Sequence, residues 1–232
     1  GDCDVMVAGG AESTVSPLGI GGFAAARALS TRNDNPQVAS RPWDKDRDGF
    51  VLGEGAGVMV IESLDHALAR GAKIYAEIAG FAMTGDAYHM TAPSVDGPRR
   101  SMQMAMANAG VNADQINYVN AHGTSTPLGD LNETNAIKAA MGDAAKKTVV
   151  NSTKSMTGHL LGGAGAIESV FIVKALQDRL APPTINIEKL DPAVTIDVVR
   201  DTPRQLPAGD IAALNDSFGF GGHNVVLAFK SL

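Results

Sequence analysis

Residues 116–130 read Ile116-Asn117-Tyr118-Val119-Asn120-Ala121-His122-Gly123-Thr124-Ser125-Thr126-Pro127-Leu128-Gly129-Asp130. The apolar run 116–119 has the length of a buried strand and feeds a turn that exposes His122. Asp130 then caps a helix expected over 130–141 and stopped by Gly142. The same order repeats downstream. Residues 148–150 predict a strand feeding Asn151-Ser152-Thr153-Lys154, and 162–180 predict a helix. That helix has almost no polar face beyond Glu168, Lys174, Gln177 and Asp178, so most of it should be buried. Upstream, 74–81 reads as a strand. Residues 98–109 read as a helix, with Met102, Met106 and Ala109 at helical spacing and Gly110 after it. Three further strands, at 195–199, 211–214 and 225–229, finish the chain. The order β-α-β-α-β-α-β-β implies an α/β domain whose helices cover a largely parallel sheet. Polar residues sit just after its strands, where such sheets place their sites.

Before residue 73 the pattern is looser. Residues 5–8 read as a short strand ending at Gly9-Gly10, 17–22 as loop, and 23–29 as a helical turn or two. The polar stretch 30–49, punctuated by Pro36 and Pro42, is loop. Gly53, Gly55 and Gly57 lead into a strand at 58–61, and a short helix at 63–70 stops at Gly71. The strand–glycine–strand arrangement of the opening residues and 53–61 is echoed by 211–217 and 219–229. A duplicated fold explains that echo, with the first copy present only as its tail. The expected division is 1–72 and 73–232. The chain opens on Gly1-Asp2-Cys3-Asp4 without an initiator Met, which reads as a piece of a longer protein.

Composition narrows the function. Of 232 residues, 44 % are apolar and 19 % charged, so a packed core is expected rather than disorder. Net charge is −6 and no Lys/Arg block stands out, which argues against a nucleic-acid binder. The longer uncharged stretches fall short of a bilayer span and there is no signal peptide. A single cysteine, Cys3, excludes an intramolecular disulfide and a cysteine zinc cluster, and suits a reducing, cytoplasmic compartment.

Two histidines draw attention. His122 follows a strand among Gly123, Thr124 and Thr126, where it is either a capped turn residue or a reactive group with hydroxyl donors beside it. His159, in Thr157-Gly158-His159-Leu160-Leu161-Gly162-Gly163, precedes the buried helix. The helix dipole disfavours a cation there, so a neutral ring able to donate one N–H is expected. The bland alternative is a hydrogen-bonded core histidine. Lys154 is either an ordinary exposed lysine or the partner of an acid such as Glu133. Gly219-Phe220-Gly221-Gly222 is either a plain hairpin or a source of backbone N–H groups for an oxyanion. His66 reads as a solvated surface residue, and His89 and His223 lie in loops. No P-loop, His-Glu-x-x-His or Gly-x-Gly-x-x-Gly is present, and 123–127 lacks the last glycine of a serine-hydrolase elbow.

Together, residues 5–12, Ala28-Leu29-Ser30-Thr31-Arg32, Arg41-Pro42-Trp43-Asp44, Arg47-Asp48-Gly49-Phe50-Val51, 120–130, 152–163 and 217–222 resemble the β-ketoacyl-acyl carrier protein synthases. The type II elongating enzymes of bacterial fatty acid synthesis are the nearest pattern. The segments span the whole chain, and the two histidine motifs together are highly specific. The resemblance implies a thiolase-like, duplicated five-layered α/β/α/β/α fold. Here that means the end of the N-terminal half plus the complete C-terminal half. It also implies decarboxylative Claisen condensation of a malonyl carrier with an enzyme-bound acyl thioester, an acyltransferase reaction needing no cofactor and no metal. The implied partners are the acyl- and malonyl-loaded acyl carrier protein and, at full length, a second copy in a homodimer.

Matched residue by residue, the resemblance makes His122 and His159 the two catalytic histidines. It makes Lys154 the lysine of their hydrogen-bond network, with Glu133 its acidic partner and Asp130 a supporting acid of the His122 loop. Thr124 and Thr126 match hydroxyls that hold the pantetheine arm. Phe220 matches the gating residue with its backbone N–H in the oxyanion hole, and Arg27 a basic carrier-docking position. Two departures matter. The family's nucleophilic cysteine stands upstream of the strand matched by 5–8, so Cys3 is not that residue and the chain lacks the nucleophile. His223 stands where close relatives often have threonine. The isolated chain is expected to be inactive. The alternative is a non-catalytic, chain-length-determining partner subunit, which the retained His122, Lys154 and His159 argue against.

Overall fold

The computed structural model describes residues 3–232, so Gly1 and Asp2 of the 1–72 segment lie outside the described residues. The chain begins with β1 (Val5–Glu12), α1 (Pro17–Ala25), β2 (Gly55–Glu62) and α2 (Leu64–Ala69). β1 and β2 pair antiparallel, from Val5 opposite Glu62 to Glu12 opposite Gly55. β1 therefore runs through Gly9 and Gly10, where the sequence predicts a stop. Close approach explains these glycines. A Cβ on Gly10 would lie 2.6 Å from the Gly162 carbonyl oxygen, and one on Gly57 2.6 Å from the Ile167 nitrogen. Residues 17–22, expected as loop, form most of α1. Ser16 caps it by accepting the Gly19 N–H at 3.2 Å, and Pro17 opens it with a preset φ.

The chain continues through β3 (Glu77–Gly85), α3 (Asp96–Asn108), β4 (Ile116–Asn120), α4 (Pro127–Met141), β5 (Val149–Asn151), α5 (Lys154–Thr157) and α6 (Ala164–Asp178). Three two-residue strands follow, β6 (Leu180–Ala181), β7 (Asp197–Val198) and β8 (Arg204–Gln205), then β9 (Ala212–Gly219) and β10 (His223–Lys230). One six-stranded sheet has the order β3-β10-β9-β4-β5-β7. β9, β4, β5 and β7 are parallel neighbours, whereas β10 is antiparallel to both β9 and β3. The sheet is thus mixed rather than largely parallel. The cause is the tight β9–β10 hairpin, where Gly221 and Gly222 take φ of +82° and +75°.

On one face, α3 and α4 pack Met102, Met106, Ala136 and Ile137 against Val119, Val150, Leu214 and Val226. On the other, α6 packs Ile172, Ala175 and Leu176 against Tyr118, Ala213 and Phe229. Gly165, Ser169, Ile172 and Leu176 share one face of α6 by helical spacing, while Ala166 and Ile167 turn toward the glycines of β1 and β2. α6 is therefore covered on two sides. The layers run α3/α4, six-stranded sheet, α6, β1–β2 ribbon, which are four consecutive layers of a thiolase-like α/β/α/β/α order. Both members of the sequence echo, β1–β2 and β9–β10, are antiparallel pairs resting on α6. Among the described residues, no helix is long and apolar enough to cross a membrane.

Candidate active site

The turn after β4 is held from α4. Glu133 Oε1 accepts the His122 N–H and Oε2 the Gly123 N–H, each at 2.7 Å. Asp130 does not cap the helix; α4 starts earlier, at Pro127, with Thr126 in the cap position. From the first turn, Asp130 accepts the Ser125 N–H at 3.1 Å and the Trp43 N–H at 2.9 Å, and faces Arg47 Nε at 3.2 Å. Burial raises both acids. Asp130 is pushed up to about 6 against the pull of Arg47 and its N–H donors, and Glu133 to about 7 against its two N–H donors.

Lys154 is buried, and its ion-pair partner is Glu168 of α6, not Glu133. The expectation fails because both Glu133 oxygens are occupied by backbone N–H groups, while α6 brings Glu168 to the lysine. Glu168, expected on a polar face, is itself only 1 % exposed.

His159 is fixed through its backbone: its N–H donates to Val51 O at 2.7 Å and its carbonyl accepts the Gly53 N–H at 3.0 Å. Its Nδ1 accepts the Leu161 N–H at 3.2 Å, which places the proton of the neutral ring on Nε2. Burial, then the Lys154 charge, pushes this histidine down to about 3. Burial, Lys154 and His159 together hold His122 well below the ordinary histidine range. The neutrality expected for His159 thus has another cause. α6 begins only at Ala164, so desolvation and a nearby ammonium, rather than the helix dipole, keep the ring uncharged. The two rings lie 5.1 Å apart, nearly perpendicular at 87°, with Phe50 against His159 and Phe218 against His122.

Both rings open onto a cavity of about 710 Å³. Phe23, Phe50, Phe218 and Phe220 make much of it apolar. Thr124 and Thr126 line it with their hydroxyls 3.1 Å apart. Arg27, exposed and at φ +56°, also borders it. Asp130 and Glu133 reach its wall. Of the site residues named from the sequence, Lys154 alone is not on the lining. Cys3 is exposed and does not line the cavity either. His89, unread in the sequence, does; its Nδ1 accepts the Thr91 and Ala92 N–H groups. The β9–β10 hairpin is tied to Met90, which lines the cavity, by the Gly221 N–H donating to Met90 O at 2.7 Å. Sequence reading missed Glu168, Asp216 and Arg47. The available signals were a lone acid in an apolar helix, an acid inside a core strand, and an arginine that the resemblance covered but to which no role was given.

Residues 75–188 match the model for the β-ketoacyl synthase C-terminal domain, and residues 1–67 that for the N-terminal domain. The 3-oxoacyl-[acyl-carrier-protein] synthase 2 of Vibrio cholerae is 59 % identical over all of this chain and 56 % of its own length. The protein of the same name from Synechocystis is 55 % identical over 99 % of this chain and 55 % of its own length. The chain therefore spans little more than half the length of these curated relatives. Among solved structures, AntDE:AntF, a type II PKS acyl-carrier protein in complex with its ketosynthase, is similar with a TM-score of 0.96 and 42 % identity. That match covers 100 % of this chain and 57 % of that one. The ishigamide ketosynthase/chain length factor matches with a TM-score of 0.91 and 36 % identity, over 100 % and 55 % of the two chains.

Proposed function

Because the chain belongs to the β-ketoacyl synthase family, we propose that it forms the histidine-bearing part of a 3-oxoacyl-[acyl-carrier-protein] synthase that elongates fatty acids. The observation that carries this reading is the pair of neutral imidazoles, 5.1 Å apart and perpendicular, opening onto a largely apolar cavity. The chemistry follows from those rings. When a malonyl thioester loses its carboxylate as CO₂, the electron pair left behind becomes an enolate with charge on the thioester oxygen. The Nε2–H of His159 and an N–H of His122 donate to that oxygen, each stabilising it by a few kcal/mol in a water-poor site. The carbanion then attacks the acyl thioester carbon, and the sulfur leaves as thiolate. That sulfur comes from outside these 232 residues, since Cys3 is away from the cavity.

In this reading Lys154 keeps both rings neutral, and Glu133 and Asp130 fix the His122 turn. Thr124 and Thr126 hold the pantetheine arm, Phe220 gates the acyl pocket, and Arg27 meets an acidic carrier protein. We place the division of the two halves near residue 72 and read the whole protein as a cytoplasmic homodimer. The chain-length-determining alternative is disfavoured by the intact His122–Lys154–His159 set. The test is condensation of an acyl and a malonyl carrier thioester by the longer protein that contains this chain. A 3-oxoacyl product, abolished by His159→Ala, is expected. No product, or an unaffected variant, overturns the reading.

A further inference from the structure

β9 carries a buried carboxyl that the chemistry above does not use. Leu214 packs beneath α3 and α4, whereas Asn215 points the other way, donating to Gly165 O at 3.1 Å and Ser169 Oγ at 3.0 Å on α6. Strand alternation returns Asp216 and Phe218 to the α3/α4 face, and the Phe218 ring lies 6.0 Å from His122. Asp216 is fully buried, and no donor among the described residues reaches either of its oxygens. The charged groups that act on it are Glu133 of α4 and Glu168 of α6, both repelling, and Lys154 of α5, attracting. Three carboxyls thus share one ammonium, and that ammonium is bonded to Glu168.

The donor inventory decides which acid holds a proton. Glu133 accepts two backbone N–H groups, one on each oxygen; Glu168 accepts the Lys154 ammonium on Oε1 and nothing on Oε2; Asp216 accepts nothing on either oxygen. An ionised carboxylate without a donor is the costliest of these in a dry interior, and taking up a proton relieves it. A proton on Glu133 would instead turn one of its two acceptor oxygens into a hydroxyl. We propose that Asp216 is the proton-holding partner of Glu133, a positioning residue that stays a neutral acid so that Glu133 keeps both oxygens as acceptors for the His122 turn. Burial and the two neighbouring carboxylates push Asp216 well above the carboxylate range, in the same direction. The consequence for catalysis rests on the ketosynthase reading; the proton does not.

The decisive measurement is an infrared difference spectrum of the wild-type protein minus Asp216→Asn at about pH 8, where Glu133 and Asp130 are mostly ionised. A carboxylic-acid C=O band present only in the wild type is expected. A carboxylate band in its place overturns the proposal. Wild-type protein labelled with ¹³C-carboxyl aspartate gives the same answer through an isotope shift, should the variant misfold. Urea midpoints between pH 6 and 9 add a second readout. Wild type should lose ground to Asp216→Asn as pH rises, because an acid raised by folding withdraws its stabilisation on the alkaline side. A constant offset counts against the proposal. In malonyl decarboxylation, the alkaline fall of the wild type should move up by at least one pH unit in Asp216→Asn, and an unmoved fall overturns the positioning role. If the wild type does not decarboxylate at all, the ketosynthase reading fails, and the infrared band still decides where the proton sits.

Discussion

Lys154→Met and Glu168→Gln cut the same buried ion pair from opposite sides, and their costs should diverge with pH. Both side chains are 1 % exposed, and stranding one charge of a buried pair costs about 3–5 kcal/mol. Glu168→Gln leaves the ammonium with Glu133 and Asp216 still nearby, so its loss should sit near ~3 kcal/mol. Lys154→Met leaves three carboxyls and no cation. Glu168 is already pushed up by burial and held down mainly by Lys154, so removing the lysine turns it into a proton-binding acid in the folded state. A carboxyl whose folded pKa exceeds its unfolded value keeps a proton that the unfolded chain has released. Stability is then present below the unfolded pKa and is lost as pH rises toward the folded one, by about 1.4 kcal/mol per pH unit per group. Over pH 5 to 8, one such acid accounts for up to ~4 kcal/mol. The variants should therefore lie close together near pH 5, with Lys154→Met the worse by ~3 kcal/mol or more at pH 8. Urea titrations followed by Trp43, the single tryptophan and fully buried, give the readout. Parallel pH dependences, or a Glu168→Gln variant that is the worse at pH 8, would refute the electrostatic account.

Three further outcomes are expected. In the longer protein, His159→Ala should slow malonyl decarboxylation by about 10²–10³, and His159→Asn, which keeps an N–H donor, should recover part of it. Since the ring titrates only near 3, the loss should be flat from pH 5 to 8; a wild-type limb near 6.5 that vanishes in His159→Ala would mean a general base instead. Gly57→Ala, whose new methyl meets α6 backbone at 2.6 Å, should destabilise by about 1–3 kcal/mol, while Gly21→Ala in α1, with nothing within 4 Å, should be neutral or slightly stabilising; equal melting shifts would deny the close ribbon–helix packing. Arg47 donates to Pro127 O at 2.7 Å and Thr126 O at 3.2 Å and pairs with Asp130 and Asp191. Arg47→Lys cannot span these partners and should cost about 1.5–3 kcal/mol in a thermal or urea melt.

Local pattern sufficed where an element is continuous in sequence and decided by its own residues. β4, β5, α2 and α3 sit within a residue or three of their expected positions, because apolar runs and glycine stops fix them. It failed where a distant segment decides. Gly9 and Gly10 look like a strand end until β2 closes on the first and the start of α6 on the second. Glu168 looks like a polar position until Lys154 arrives beneath it. Asp130 looks like a cap, yet its carboxylate is spent on Ser125, Trp43 and Arg47, partners that only the tertiary fold supplies. Motif matching placed the histidines and threonines on one cavity without any of this. It assigned the wrong acid to Lys154, because a motif carries positions and not contacts.

That misassignment bears on why the site holds an ion pair at all. Apolar replacement of a buried pair is often neutral or stabilising, so stability alone does not account for Lys154 and Glu168. Burial and the Lys154 charge lower both His122 and His159. The ammonium thus holds the imidazoles uncharged while Glu168 neutralises it. On the proposed ketosynthase reading, a histidine pair that donates to an oxyanion loses that role if it fills with protons and draws the substrate carboxylate into a salt bridge. An ammonium beside the rings prevents that, and an ammonium in a dry interior requires Glu168. The carboxyl density this creates around His122 is then tolerable only if one acid takes up a proton. Asp216, the one without a donor, is where that requirement falls.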